Sequence, residues 1–278
     1  MSRVSHVRPI VQHFTPRRVL GAVVQHPAYL LELPWMMRAT VDWGVRVVTE
    51  DFENRGELKT FLRESKAKTL DTIVFAIHGY FADKGHFGPV HQRVLEEEYG
   101  MGFFAPQYGT FRDINLNARY LGTHVKSIIR ETDARIVLYG HSLGALVALN
   151  LYYDRLTAIE KERVSHLLLV GGPHQGTPEA RHGYGESAKQ MCPDSLYIRS
   201  WQERYPTLPD GDKIWSLAAP ADAVVPRSYT CLSIPGAGNY SLQEFGASRA
   251  TTHINLLYSK RVAHALGRLI VDETVSLR

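Results

Sequence analysis

From about residue 72 onward, short continuous apolar runs alternate with helical patterns, and this rhythm leaves the chain very few architectures. The runs are Thr72–Ile77, Met101–Ala105, Arg135–Tyr139, His166–Val170, Lys213–Leu217 and Tyr229–Ile234. Strands covered on both faces read as unbroken apolar runs, whereas strands with one wet face alternate. Helices are predicted between them near 88–99, 113–131, 143–158 and 255–271. Repetition of strand, helix, strand calls for right-handed crossovers and a mostly parallel central sheet with helices on both faces. At 278 residues the chain is long enough to bury a large core as one α/β unit, so a single domain over 1–278 is expected.

Two segments stand outside the rhythm. Residues 1–44 precede an expected first strand at Val45–Val48 and read as an N-terminal helical extension. Within it, Tyr29, Leu30, Leu31, Leu33, Trp35, Met36 and Met37 lie close to Arg17, Arg18 and Arg38. Residues 19–41 are therefore expected to form a peripheral helical element. Its apolar face packs on the sheet or touches a membrane surface. Residues 174–211, rich in Gly, Pro and charge, form a long insertion between two strands. Insertions of that length in compact domains are usually lids or local caps, so a cap is expected.

Composition removes several function classes. The formal charge is +4, but no block of five or more basic residues occurs, so nucleic acid is not an expected partner. Cys192 and Cys231 have neither metal-ligand spacing nor the density of a disulfide framework. No signal-peptide pattern opens the sequence, and no run reaches the roughly 18 apolar residues that span a bilayer. A cytoplasmic location is the expectation by default, with no cofactor and no metal.

Chemistry concentrates in Gly140-His141-Ser142-Leu143-Gly144, which follows one apolar run directly and leads directly into a helical one. A serine on so tight a strand-to-helix turn is strained and presents its hydroxyl, and flanking glycines let the neighbouring backbones approach. The positive end of the following helix faces the position where an oxyanion develops. Alone, G-x-S-x-G is a weak signal; strand before, helix after and a matching upstream loop make it specific. That loop is His78-Gly79-Tyr80-Phe81, after the run ending at Ile77. In a parallel sheet both turns lie at the carboxyl edge. Acyl transfer needs two preorganised N–H donors, and these are assigned to the backbones of Tyr80 and Leu143.

The base must be a histidine late in the chain. His253 sits in a loop opening the last helix, whereas His264 falls inside that helix, so His253 is favoured. For the acid, Asp222 lies on the loop after the run Lys213–Leu217, where it can fix the imidazole tautomer. Asp210 and Asp212 precede that run, and Asp194 lies in the insertion.

With these residues in place, the sequence resembles the bacterial triacylglycerol lipases and their esterase relatives in the α/β-hydrolase superfamily. The resemblance rests on His78-Gly79, Gly140–Gly144, Gly172-Pro-His-Gln-Gly-Thr177, Ala221–Pro226 and His253-Ile-Asn-Leu-Leu257, and spans residues 72–271. It implies the α/β-hydrolase fold, a Ser142–His253–Asp222 triad, and a small-molecule or lipid ester as substrate. It also implies that His174 is structural rather than a second base. Asp194 stands where the family usually has Gly, and no calcium site matches residue by residue. Aromatic Tyr80 and Phe81 narrow the expected acyl pocket. Acyl transfer or thioester cleavage on the same triad is an alternative, since an acyl-enzyme accepts any nucleophile that reaches it. A non-catalytic binding module on the scaffold is the third class.

Overall fold

A computed structural model describes residues 54–63 and 69–271 of the chain. The expected strand at 45–48 and the helical element at 19–41 lie outside the described residues. In chain order the main elements are α1 (Asn54–Arg63), β1 (Thr72–Ile77), α2 (Arg93–Glu97), β2 (Gly102–Phe104), α3 (Ile114–Glu131) and β3 (Arg135–His141). Then follow α4 (Leu143–Arg155), α5 (Ala158–Glu162), β4 (Val164–Val170), α6 (Gly185–Gln190) and α7 (Leu196–Arg204). The chain continues through β5 (Ile214–Ala218), α8 (Arg227–Thr230), β6 (Gly238–Ser241) and α9 (Lys260–Val271).

The six strands form one all-parallel sheet in the order β2-β1-β3-β4-β5-β6. Side chains alternate between the faces of a strand, so each apolar run feeds two cores. Ile73, Phe75, Ile77, Ile136, Leu138, Leu167 and Leu169 point to the side of α3 and α4. Val74, Ala76, Val137, Tyr139, Leu168 and Val170 point to the other side, toward Val262, Leu266, Leu269 and Ile270 of α9. Central helix α4 is buried from Leu143 through Tyr152, which explains why its sequence is apolar almost all round.

One expected strand is corrected. Tyr229–Ile234 does not join the sheet: Arg227–Thr230 forms the short helix α8 after Pro226, and the sixth strand is Gly238–Ser241. Leu232 and Ile234 are apolar because they pack into the core beside α3 and α4, not because they pair. The true edge strand, Gly-Asn-Tyr-Ser, is half exposed and needs no apolar run.

The insertion has two unlike halves. Tyr197, Ile198 and Trp201 of α7 and the following Tyr205 are buried in the same core as α4. Tyr153 of α4 donates to the Pro209 carbonyl at 2.6 Å, and Arg204 pairs with Asp154 at 2.6 Å while lying over the Trp201 ring. The first half, Pro178–Gln190, is held instead to the loops after β1 and β2. There the Phe111 carbonyl accepts from Glu186 N–H at 2.8 Å, and the Ser187 hydroxyl bonds the Thr110 carbonyl.

Candidate active site

Because every strand runs the same way, the loops that leave them gather at one edge of the sheet. Ser142 follows β3 directly with φ 56° and ψ −124°, a strained backbone for a non-glycine residue, and stands immediately before α4. The turn is possible only with its two glycines. A Cβ on Gly140 would run into the backbone of Gly144 and Ala145, and one on Gly144 would strike the Ile77 carbonyl. The Ser142 N–H donates to the Val170 carbonyl at 2.9 Å, which fixes the turn against the end of β4.

His253 and Asp222 meet at that edge. Asp222 Oδ2 accepts from His253 Nδ1 at 2.7 Å, and both side chains are buried. The other carboxylate oxygen accepts the N–H groups of Val224 and Val225 at 3.0 and 2.7 Å, so Asp222 cannot swing. A carboxylate at Nδ1 leaves the Nε2 lone pair as the basic position of the imidazole. Gly171, the residue after Val170, packs against the pair; a Cβ there would lie 3.2 Å from the His253 ring and 3.5 Å from Asp222 Oδ2. His141, directly before Ser142, bonds the His253 carbonyl through Nε2 at 2.9 Å, with the two rings 4.8 Å apart. Ser142 and His253 are therefore tied to the same short stretches of β3 and β4. Among the described residues the Ser142 hydroxyl has no hydrogen-bond partner. Such contacts commonly close only when substrate is present.

Leu143 is the first residue of α4, so its N–H has no partner within the helix. Neither that N–H nor the N–H of Tyr80 meets an acceptor among the described residues. The Tyr80 phenol bridges to the insertion, donating to the Tyr184 carbonyl at 2.7 Å and accepting the Tyr184 N–H at 2.6 Å. Burial pushes its pKa up to about 12, which keeps the donor proton in place. Phe81 has φ 59°, and the Phe111 ring stands edge-on to Tyr80, Phe81 and Tyr184 at 5.3, 5.5 and 5.9 Å.

The set-aside residues have other partners. His264 lies on α9 beside Tyr99 and 3.5 Å from Glu98, and exposed Asp194 faces Arg181 at 3.6 Å. Asp210, before β5, accepts from Tyr152 at 2.9 Å. His174 is fully buried, and burial lowers its pKa to about 3, so it is neutral. Sequence reasoning overlooked His141 and His91. The first was visible inside the serine motif; His91 contacts Leu256, 165 residues away, and nothing in the sequence links them. Among the described residues, no group of three or more His, Cys, Asp or Glu is arranged to hold a metal, and no helix is long and apolar enough to cross a membrane.

Lipase B of Aspergillus fumigatus superposes with a TM-score of 0.56 at 16% identity, over 69% of this chain and 51% of that one. A metagenomic carboxyl esterase does so with a TM-score of 0.50 at 16% identity, over 74% and 77%. The fold is that of the α/β-hydrolases. The mature lipase of Bacillus licheniformis matches at 0.46 and 13% identity, over 54% of this chain and 65% of that one. The α/β-hydrolase match thus spans less than two thirds of the length of either lipase. No protein-family model matches the sequence, and neither does any curated protein.

Proposed function

We propose that this α/β-hydrolase fold carries a serine hydrolase that cleaves carboxylic esters, with Ser142 as nucleophile, His253 as general base and Asp222 orienting the base. One observation carries the reading: a buried 2.7 Å Asp222–His253 pair whose histidine is held at its backbone carbonyl by His141, the residue preceding a strained serine. His253 Nε2 takes the hydroxyl proton as Ser142 Oγ bonds to the ester carbonyl carbon. The carbonyl electrons move onto oxygen, which rests on the Tyr80 and Leu143 N–H groups. Collapse expels the alkoxide, which receives the proton from His253 as the alcohol leaves. Water, deprotonated by the same imidazole, then attacks the acyl-enzyme, and the acid departs with Ser142 reprotonated.

The two structures whose superposition supports the fold are a lipase and a carboxyl esterase, which agrees with this chemistry. Short acyl groups are the substrates expected, since four aromatic rings crowd the oxyanion loop. Pro178–Gln190, bridged to that loop through Tyr80, is the part of the insertion proposed to cap the site. The test is a series of p-nitrophenyl esters from acetate to palmitate plus emulsified triglyceride. Turnover lost in Ser142→Ala and falling with acyl length supports the reading. Rates that rise with acyl length would move the aromatic cluster out of the acyl path, and no turnover of any ester would remove the activity.

A further inference from the structure

His253 is carried on the segment between β6 and α9, which contains only single 3-10 turns and no strand. A general base works at full rate only when held within about 0.5 Å and 10–20° of its productive geometry. Asp222 orients the imidazole ring, but a ring contact alone does not fix the backbone that carries it. Three backbone carbonyls in this segment are gripped from three other elements. The Thr251 carbonyl accepts Ala221 N–H at 2.9 Å, the His253 carbonyl accepts His141 Nε2 at 2.9 Å, and the Leu256 carbonyl accepts His91 Nε2 at 2.9 Å.

The two imidazole grips share a design. A carbonyl has no proton to give, so each histidine must carry its hydrogen on Nε2. At His91 the other nitrogen meets the Tyr139 hydroxyl at 2.9 Å, which therefore donates and locks the same tautomer from behind. Both rings are buried, His91 completely. Burial lowers the pKa of His91 to about 4 and that of His141 well below its ordinary value, the nearby His253 adding to the latter shift. They are neutral, rigid donors, one at the end of β3 and one in the turn before α2.

We infer that His141 and His91 are positioning residues: a two-point imidazole clamp that sets the backbone of the His253 segment and so aims the base at Ser142. This rests on the ester-hydrolase reading for its kinetic consequence, though not for its geometry. Displacing the base by about 1 Å costs on the order of 100-fold in rate. His141→Leu should therefore lower kcat about 100-fold, and His91→Leu, one turn farther from the base, about 10-fold, with KM changed less than about 2-fold in each. Gln places an amide N–H near the Nε2 position, so His141→Gln should recover kcat to within about 3-fold. On a His253→Ala background, His141→Leu should change nothing, because the group it aims is gone.

His124→Leu is the control for mere loss of a buried histidine: it lies on α3, bonded to Tyr120, and should lower Tm while leaving kcat in place. Folded His141→Leu and His91→Leu proteins with full kcat, or a loss of kcat that persists undiminished without His253, would overturn the clamp. Long-range proton–nitrogen NMR of the wild-type imidazoles separates this idea from its parent. Nε2–H tautomers at both histidines support the clamp, and an Nδ1–H tautomer at either overturns it, whatever the chain hydrolyses. Absent turnover with both Nε2–H tautomers intact would count against the ester-hydrolase reading alone.

Discussion

The two sides of the strand edge around Ser142 are built from different materials. On one side, buried hydrogen bonds of 2.7–2.9 Å join Asp222 to the His253 ring, His141 to the His253 carbonyl and His91 to the Leu256 carbonyl. On the other, Tyr80, Phe81, Phe111 and Tyr184 meet as aromatic rings at 5.3–6.2 Å, with one phenol bridge to the insertion. Hydrogen bonds are directional and fix atoms to tenths of an ångström, whereas ring packing fixes shape and tolerates substitution. Under the proposed function, the first side would govern whether a proton moves, and the second which ester fits.

The sharpest way to break that contrast is at the triad. Ser142→Ala and His253→Ala should each lower kcat by about 10⁴ to 10⁶, with the double variant little worse than either, since the groups act as a unit. Asp222→Ala should cost less, because a misoriented imidazole still reaches the hydroxyl part of the time. Steady-state kinetics on a short p-nitrophenyl ester reads all three. Full activity in Asp222→Ala together with loss in Asp194→Ala would move the acid into the insertion.

Acid should weaken both sides at once. His78, His91, His141 and His174 are buried with lowered pKa, His78 and His174 to about 3 and His91 to about 4, burial being the main cause each time. The unfolded chain takes up their protons near pH 6.5 while the folded chain does not. Their contribution is thus complete above that pH and is lost as pH falls toward the folded values, each histidine adding about 1.4 kcal/mol per pH unit to the slope. Urea unfolding between pH 7 and 4.5 should show this, and His174→Leu should remove one proton from the slope. Stability flat across that range would mean these rings are not neutral and buried.

Smaller effects distinguish the aromatic side. Tyr80→Phe keeps the backbone N–H but removes the bridge to Tyr184, and should lower kcat about 3- to 10-fold, well short of an oxyanion donor deletion. Phe111→Ala should shift preference toward longer acyl chains with little change on acetate. An unaltered chain-length profile in both would leave the ring cluster with no part in selection. Asp212→Ala, which lies before β5, and Asp194→Ala and His264→Ala, whose partners are Arg181 and Glu98, should stay within about 2-fold of wild type.

How much of this was legible follows the same division. The β1, β3 and β4 runs and the Ser142 turn were readable because buried parallel strands and a tight strand-to-helix turn leave local patterns; Asp222 and His253 were candidates from chain order and loop position, and the structure brings those two together. The edge strand Gly238–Ser241 was missed in favour of Tyr229–Ile234, since hydrophobicity reports burial and not pairing. The clamp was invisible because His91 and Leu256 are 165 residues apart, a separation that only the folded chain brings together. The insertion read as one cap, yet α7 carries Trp201 and Ile198 into the core. Its charged positions hid an apolar face at helical spacing.

The central claim, that Ser142 is a nucleophile activated by His253, is tested most directly by labelling the folded protein with a fluorophosphonate and measuring intact and peptide masses. The account predicts one adduct, on Ser142, absent from Ser142→Ala and formed far more slowly in His253→Ala. A folded wild-type protein that takes no adduct, or takes it on another residue, would contradict it.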